Sequence, residues 1–433
     1  MKGLIALLAA ASSLADAASI TFHRPSPSKL IVDTPPDHVR PFVLPKLGGV
    51  NVYAGNTVVR MSIPGLSTGG VFTLYQVYGD RSESFVVQPH HHHYSYETFC
   101  STKGRVQIWL QAVGGSHDQE PPKATAEQET RILTRGDCAL VPPNTTHTFR
   151  LLEPSTQYTG VISPGGFEKL FYDYSQGVWV GTTGSEIFSE GVETFRTGTS
   201  EGQEDYDVFV MKDFVPRQDV GVNGAAGAGA NWHDGPNALG TSIHDRYFVA
   251  NGWGPKYLNT DGGTYKVIIP QALPDATDGG FSTGTMTLSP LQANQTAPEE
   301  VLNVHTAFQV EEGELIVILL GERARLLPGD VVFIPAYTPF VWFATAPTTS
   351  VTYVDGGRHG LVSRLLEKSI NWNSVVYPHA WGFNASTKAY NPVGNDDVEE
   401  LSVEAQKIVG GINERLSNLA QKVTGLFDHH DEL

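Results

Sequence analysis

The sequence predicts an all-β protein made of two strand-rich domains, and three observations support this prediction. The chain has 433 residues, more than one ordinary hydrophobic core holds together. Short segments that alternate apolar and polar residues recur throughout, with Gly, Pro and Asn between them. A motif at residues 136–142, formed by a Gly-Asp turn, a short apolar strand and a proline, returns at residues 329–335. This repeat indicates an internal duplication.

The composition narrows the class of protein and its partners. Hydrophobic residues make up 40% and charged residues 17% of the chain, as in a folded globular protein. The formal net charge is −17, which repels phosphate backbones and anionic lipid. We therefore expect neither a nucleic-acid partner nor a membrane partner.

Residues 1–18 have the layout of a cleaved signal peptide. A single lysine precedes a short apolar run, and small residues follow, including the triplet Ala15-Asp16-Ala17. The apolar run is too short to span a membrane. The sequence thus predicts entry into the secretory pathway.

The strand-rich blocks and the segment between them set the predicted domain boundaries. Residues 30–195 form the first predicted strand domain, and residues 241–381 form the second. Residues 196–240 contain the stretch GVNGAAGAGA and are predicted to be a linker.

Residues 395–428 have the pattern of an amphipathic helix. Asn395 and two aspartates offer cap residues, and apolar residues then recur every three or four positions. This apolar face can pack on a strand domain or on a second copy, so a homodimer is one expectation. The chain ends in HDEL, which matches a retrieval signal of the endoplasmic reticulum. We expect a protein of the endoplasmic-reticulum lumen or a secreted one. Three glycosylation triplets agree with this compartment and begin at Asn144, Asn294 and Asn384.

Cys100 and Cys138 are the two cysteines of the chain. Either they form one disulfide, as is common in an oxidising compartment, or they are two buried thiols. They are too few and too far apart in sequence for a zinc motif. The sequence leaves this choice open.

The run His90–His93, followed by Glu97, carries the clearest chemical pattern. Alternate residues of a strand face the same side, so His90 and His92 can point together into a barrel. Glu97 follows after four intervening residues, and His147 comes after a tight turn on a downstream strand. Three imidazoles and one carboxylate suit a divalent transition metal with open coordination positions.

These spacings resemble a known superfamily. HxH-x4-E-x6-G, followed by G-x5-P-x-N-x2-H, is similar to the two motifs of the cupins, and the repeat in the second half makes the chain resemble a bicupin with two barrels. Longer segments resemble the fungal quercetin 2,3-dioxygenases, and this similarity runs from about Leu30 to Trp381. The segments are YETF at 96–99, THTF at 146–149, PGGFE at 164–168, WHDGPNAL at 232–239 and NGWGPKYLN at 251–259.

The four-histidine run allows two ligand registers. His91 and His93 with Glu97 fit a shorter spacing that cupins also allow. We choose His90 and His92 as the metal ligands, because the surrounding residues then fall in the quercetin dioxygenase register. In that register His91 points away from the metal, and His93 is a candidate for supporting the ligands from behind.

The resemblance implies a reaction, in which O2 opens the ring of a flavonol to give a depside and carbon monoxide. It implies copper as the metal, although the same donor set accepts manganese, iron or nickel. Glu97 would be the catalytic base that accepts the proton of the 3-hydroxyl group. Phe99 and Phe149 would either stack on a flat aromatic substrate or belong to the ordinary barrel core.

Two residues depart from what the resemblance leads us to expect. Tyr75 stands where a methionine is expected, and Val59 stands where a pocket tyrosine is expected. Both are predicted to line the substrate pocket. The exact flavonoid or phenolic substrate is therefore left open.

The second predicted barrel lacks the equivalent of His147, because Phe340 stands at that place in the repeated motif. We therefore predict no metal site there. An oxalate decarboxylase or oxidase with manganese is the enzymatic alternative, and a metal-loaded binding or storage bicupin is the non-catalytic one. Phe340 and the aromatic pocket weigh against the first alternative, and the intact ligand set weighs against the second.

Overall fold

The structure is a computed structural model. It describes residues 29–54, 57–113, 128–175, 177–179, 202–227, 231–292, 294–374, 377–378, 383–384 and 389–390. The predicted signal peptide and the predicted C-terminal helix lie outside these residues. Two short α-helices are described, α1 (Lys169–Asp173) and α2 (Leu361–Glu367), and no helix in the described ranges is long and apolar enough to cross a membrane. Most other regular structure there is β-strand, so the predicted all-β class is confirmed.

The strands and short 3-10 helices are given in chain order. In the first half they are β1 (Phe42–Leu44), β2 (Asn51–Ala54), β3 (Thr57–Ile63), β4 (Thr73–Gly79), β5 (His90–His91), β6 (Tyr96–Lys103), β7 (Val106–Ala112), β8 (Glu129–Leu133), β9 (Cys138–Val141), β10 (Thr145–Leu151), β11 (Thr156–Ser163), β12 (Val178–Trp179), β13 (Phe209–Val210) and β14 (Ala225–Ala226). In the second half they are β15 (Tyr247–Val249), β16 (Tyr257–Asn259), β17 (Lys266–Ala272), β18 (Ser282–Leu288), β19 (Glu299–Glu300), β20 (Thr306–Glu312), β21 (Leu315–Leu319), β22 (Glu322–Leu326), β23 (Val331–Ile334), β24 (Phe340–Ala344), β25 (Thr349–Asp355), β26 (Ile370–Asn371), β27 (Phe383–Asn384) and β28 (Ala389–Tyr390). The 3-10 helices are Gly65–Thr68, Glu204–Tyr206, Asp261–Gly263 and Pro274–Thr277.

The strands build two barrels, each made of two antiparallel sheets. In the first barrel, a sheet of order β12-β2-β3-β4-β11-β6-β9-β15 packs against one of order β13-β5-β10-β7-β8-β14. In the second barrel, a sheet of order β1-β23-β20-β25-β18-β17-β16-β26 packs against one of order β19-β24-β21-β22. Each barrel encloses an apolar core with residues from both of its sheets. β27 and β28 form a separate two-stranded sheet.

A third apolar cluster joins the two barrels. Successive residues of β9 show how it arises, because Ala139 and Val141 belong to the core of the first barrel and Leu140 belongs to the shared cluster. The shared cluster also contains residues of the second barrel, including Phe281 and Phe333. The outer faces of the two eight-stranded sheets are therefore also apolar, and burying them against each other stabilises the pair of barrels.

Each barrel also receives one strand from the other half of the chain. β1 pairs with β23 in the second barrel, and β15 pairs with β9 in the first. The duplicated Gly-Asp turn holds both incoming strands. Asp330 Oδ1 accepts the backbone N–H of Lys46 at 2.7 Å, and Asp137 Oδ1 accepts that of Asn251 at 2.7 Å. The repeated motif thus attaches each half of the chain to the other half.

The glycines of the two motifs allow this close approach. Gly136 and Gly329 adopt φ angles of +87° and +94°, which favour glycine. A Cβ atom on Gly136 would lie 2.7 Å from the side chain of Asn251, and one on Gly329 would lie 2.6 Å from that of Lys46. A larger residue at either position would push the incoming strand away.

The segment predicted as a linker contributes to the first barrel. β13 pairs with β5 and β14 pairs with β8, at the two edges of the six-stranded sheet. These strands cover edges that would otherwise expose unpaired backbone groups. Because β1 and β15 each join the barrel of the other half, no single cut at residues 196–240 separates two complete barrels.

Cys100 and Cys138 are cross-strand partners on β6 and β9, with Cα atoms 4.2 Å apart, and they form a disulfide. Of the two alternatives that the sequence left open, the structure has the cross-link. A disulfide that joins residues 38 positions apart is expected to stabilise a protein by about 3–4 kcal/mol. It ties β6, which carries Glu97, to its neighbouring strand.

Candidate metal centre

Four side chains converge inside the first barrel from both of its sheets. β5 begins with His90, and His92 lies one residue beyond its end. His147 lies on β10 directly opposite His90, while Glu97 lies on β6 in the facing sheet. All four residues are buried, with 0–8% of each exposed. The histidine run and the downstream motif therefore meet as the sequence predicted.

The donor atoms of these four residues lie close enough for one ion. They are all within 4.8 Å of one another. His147 Nε2 is 2.9 Å from Glu97 Oε2, and His92 Nε2 is 3.6 Å from the same oxygen. Three imidazole nitrogens and one carboxylate are a donor set for a divalent transition metal. The chain thus has a site that can hold a metal ion.

Backbone carbonyls fix the orientation of each imidazole. The Nδ1 atom of His90 contacts the carbonyl of Gln88 at 2.7 Å, and that of His147 contacts Thr145 at 3.0 Å. The Nδ1 atom of His92 contacts the carbonyl of Asp207 at 2.6 Å. An Nδ1–H that donates to a carbonyl leaves the Nε2 lone pair free to bind a metal.

One buried nitrogen in the group lacks a hydrogen-bond partner. His92 Nε2 is inaccessible to solvent and makes no hydrogen bond within the described part of the chain. Leaving such an atom unsatisfied costs about 1–3 kcal/mol. A metal ion would supply the missing partner, so this atom fits the role of a ligand.

Burial and charge prepare His90 and Glu97 for a cation. Burial lowers the pKa of His90 well below its ordinary value, with further lowering from His147, so its imidazole is neutral. Burial raises the pKa of Glu97, but the hydrogen bond with His147 and the nearby His92 imidazole, whose Nε2 lies 3.6 Å from the carboxylate, outweigh burial and hold it well below its ordinary value. Glu97 is therefore an ionised carboxylate. A neutral imidazole and a carboxylate are the forms that bind metals.

An apolar cavity opens next to the group. His90 and Glu97 line it at one side, and Phe99, Phe149 and Val59 are among the apolar residues of its wall. The rings of Phe99 and Phe149 lie 5.8 Å apart and are tilted by 50°. The wall of the cavity next to the metal group is therefore largely apolar and aromatic.

Tyr75 does not occupy the place predicted for it. Among the described residues that line the cavity, Val59, Phe99 and Phe149 are present and Tyr75 is absent. Its ring lies behind Glu97, and its hydroxyl group donates a hydrogen bond to Glu97 Oε1. The prediction failed because a strand position indicates which face a side chain occupies and not what stands between it and the cavity.

Comparison with known proteins identifies the family. No protein-family model matches the chain. Over 362 residues, however, it is 37% identical to a quercetin 2,3-dioxygenase of Aspergillus japonicus, covering 82% of this chain and 99% of that one. The chain belongs to the quercetin 2,3-dioxygenase family. The resemblance expected from the motifs is thereby confirmed.

More distant similarities were also found. A quercetin 2,3-dioxygenase of Bacillus subtilis (strain 168) is 29% identical over 165 residues, 38% of this chain and 44% of that one. The solved structure of an oxalate decarboxylase from Lactobacillus farciminis aligns with a TM-score of 0.42 at 10% identity, covering 74% of this chain and 85% of that one. The coconut allergen cocosin aligns with a TM-score of 0.43 at 9% identity, covering 73% and 85%. Structural similarity at this level does not bear on function.

His91 and His93, the other two histidines of the run, do not belong to the metal group. His91 and His93 pack on Phe209 of β13, with ring centroids 5.4 and 3.7 Å from it. His91 is buried, and burial lowers its pKa to about 4, with a smaller effect from His93. A supporting role for His93 stays a prediction.

Asp207 is a residue of the site that the sequence did not reveal. It lies in the segment predicted as a linker and adopts a left-handed conformation with φ of +62°. Its carbonyl contacts the imidazole of His92, and its carboxylate accepts the backbone N–H groups of His93 at 2.8 Å and Ser95 at 2.9 Å. Asp207 therefore fixes the conformation of residues 92–95, the segment after β5 that begins with the ligand His92. The alternation of apolar residues at Val208 and Val210, which line the cavity, was the available signal.

The second barrel shares the strand register of the first but carries other side chains. Glu97 pairs with Val141, the sixth residue of the repeated motif. In the second barrel, the sixth residue is Ile334, and it pairs with Thr306. Thr306 thus stands where Glu97 stands, and its hydroxyl donates to Asp355 at 2.6 Å.

Strand pairing and backbone hydrogen bonds also identify the positions in the second barrel that correspond to the three histidines. In the first barrel His147 pairs with His90, and in the second barrel Phe340 pairs with Glu300. A second correspondence comes from a backbone hydrogen bond. The N–H group of Asn144 donates to the carbonyl of His92, and that of Tyr337 donates to the carbonyl of Leu302. The positions of His90, His92 and His147 are therefore taken by Glu300, Leu302 and Phe340. A group of three or more His, Cys, Asp or Glu that can hold a metal occurs once within the described residues, in the first barrel.

Proposed function

We propose that this protein is a metal-dependent dioxygenase that opens the heterocyclic ring of quercetin-like flavonols with O2 and releases a depside and carbon monoxide. The observation that carries the proposal is a buried group of three histidines and one glutamate beside an apolar, aromatic-lined cavity. Family membership supports the same reaction. The cavity suits a flat polycyclic substrate better than a small diacid such as oxalate.

Copper is the metal we propose, held by His90, His92, Glu97 and His147. The donor set and the unsatisfied Nε2 atom of His92 fit a divalent ion, and manganese, iron and nickel accept the same donors. When bound, the metal would act as a Lewis acid toward the 3-hydroxyl oxygen of the flavonol.

Residues of the chain supply the rest of the chemistry. Glu97 lines the cavity beside the metal group, so its carboxylate is placed to accept the proton that leaves the 3-hydroxyl group. Phe99 and Phe149 hold the flat rings of the substrate beside the ligands. The apolar wall, to which Val59 contributes, keeps water from the reacting ring.

We further propose that the protein acts in the secretory pathway, either retained in the endoplasmic-reticulum lumen or secreted. The predicted signal peptide, the terminal HDEL and a disulfide between Cys100 and Cys138 support this location. The expected homodimer stays a prediction.

The test combines metal analysis with product detection. Purified protein is analysed for metals and mixed with quercetin, once in air and once without oxygen. We expect one carbon monoxide released per O2 consumed in air, and no gas without oxygen. Binding of quercetin without O2 uptake would favour the non-catalytic bicupin. A manganese-loaded sample that yields no carbon monoxide but consumes oxalate would favour the oxalate-type enzyme.

A further inference from the structure

We infer that Tyr75 is a positioning residue, whose hydroxyl group holds the Glu97 carboxylate in the orientation that the metal and the substrate require. This inference rests on the proposed function for its kinetic consequence. The contact itself belongs to the structure and does not depend on the reaction.

The two oxygens of Glu97 have different partners. Oε1 accepts the hydrogen bond from the hydroxyl group of Tyr75. Oε2 faces His147 Nε2 at 2.9 Å and His92 Nε2 at 3.6 Å. With Oε1 held by a donor, the carboxylate presents Oε2 to the metal position. Tyr75 therefore favours binding of the metal through one oxygen.

The packing around Tyr75 leaves its ring little freedom. Tyr75 is 1% exposed, and its cross-strand partner on β11 is Gly160. A Cβ atom on residue 160 would lie 2.3 Å from the ring carbon that bears the hydroxyl group and 2.4 Å from the hydroxyl oxygen. The ring of Tyr158 meets Tyr75 edge-on at 6.0 Å, and Phe171 stacks on it at 6.4 Å. Because Gly160 has no side chain, the ring of Tyr75 fits against it, and its hydroxyl group reaches Glu97.

The second barrel contains the same pair with the strands exchanged. Gly284 on β18 is the partner of Tyr353 on β25, and a Cβ atom on Gly284 would lie 2.7 Å from the Tyr353 hydroxyl oxygen. That hydroxyl group is buried and makes no hydrogen bond with the described residues. A buried tyrosine against a glycine is therefore a packing feature of both barrels. In the first barrel its hydroxyl group also contacts a carboxylate of the metal group.

A residue that positions Glu97 and a residue that lines the cavity should differ in how their replacement affects the enzyme. Because Tyr75 is not among the described residues that line the cavity, removing its hydroxyl group should leave substrate affinity almost unchanged. Loss of the hydrogen bond to Glu97 should instead alter the coordination of the metal and kcat. Residues that orient metal ligands typically change metal affinity or activity by about 10–100-fold when they are replaced.

The experiment compares full-length Tyr75→Phe with wild type, and uses Tyr353→Phe as the matched control. Each protein is stripped of metal, reloaded with Cu(II) alone and examined by electron paramagnetic resonance. Copper affinity is measured by competition with a chelator, and kcat and KM are measured with quercetin. We expect Tyr75→Phe to show a changed copper spectrum and a loss of about 10–100-fold in copper affinity or kcat, with KM changed by less than about threefold. Tyr353→Phe should match wild type in all of these measurements.

Other outcomes have clear meanings. An unchanged copper spectrum with unchanged affinity and kcat would overturn the inference, and so would a variant whose KM alone rises, since that would make Tyr75 part of the pocket wall. If Tyr75→Phe does not fold, Tyr75→Met, which also lacks the hydroxyl group, takes its place. Absence of turnover by wild type would contradict the proposed function, while the copper spectra would still decide the role of Tyr75.

Discussion

The two barrels share one plan of strand pairing and differ at every position of the metal group. The first barrel has three histidines and a glutamate where the second has one glutamate, a leucine, a threonine and a phenylalanine. In contrast, both barrels keep the Gly-Asp turn that binds the incoming strand. The two barrels assemble through one such turn in each, whereas the metal group lies in the first barrel alone among the described residues. The fold therefore provides a location for the site, and individual side chains provide the site itself.

The largest expected effect contrasts His147 with its counterpart Phe340. His147→Ala removes one of three imidazoles from a fully buried site, so we expect the purified variant to contain almost no metal and yet to remain folded. Phe340→Ala should do the opposite, keeping the metal while losing about 3–5 kcal/mol of stability, because Phe340 is 1% exposed in an apolar core. Elemental analysis and denaturant unfolding measure both effects. Full metal content in His147→Ala would contradict the ligand assignment.

The next contrast is between Glu97 and Thr306. Glu97→Gln keeps the three imidazoles and the shape of the side chain but removes the base, so we expect substantial metal and a fall in turnover of about 10²–10⁴-fold. Thr306→Val removes the hydroxyl donor of buried Asp355 in the second barrel, so it should lower stability and leave kcat unchanged. Carbon monoxide release and metal analysis are the measurements. Retained activity in Glu97→Gln would exclude Glu97 as the base.

The smallest effect compares the two aspartates of the repeated motif. Asp137→Ala and Asp330→Ala should each destabilise the protein by about 1–3 kcal/mol, because each removes the acceptor of an incoming strand. Each aspartate also accepts one backbone N–H of its own turn, that of Thr134 or Leu327. Asp137→Ala should cost more, since Asp137 is fully buried and accepts further hydrogen bonds from the Thr134 hydroxyl group and from His233. Urea unfolding monitored by fluorescence gives both values. Equal and negligible changes would show that the strand exchange does not depend on these turns.

Much of the site was predictable because its ligands follow local spacing rules. His90 and His92 are alternate residues near one strand, and strand geometry alone places them on one side. The choice between them and the pair His91 and His93 rested on similarity to the family. The structure brings His90 and His92 together with Glu97 and His147, because β5 lies opposite His147 in the register of the sheet.

Other features could not be predicted because they depend on distances across the barrel. Tyr75 was recognised as a departure from the family, but its contact with Glu97 depends on Gly160 of a different strand. Asp207 was missed for a similar reason. It acts through hydrogen bonds to residues more than 100 positions earlier in the chain, and the apolar alternation at Val208 and Val210 indicates a strand nearby but not these partners.

Residue types and spacing were enough to specify the all-β class, the duplication, the metal group and the family, because each depends on side-chain identity or on the two-residue period of a strand. The exchange of β1 and β15 between the barrels, the strands within the predicted linker and the place of Tyr75 behind Glu97 needed the folded chain. Backbone hydrogen bonding between strands uses groups that every residue has, so the partner of a strand is chosen by shape and burial across the whole molecule.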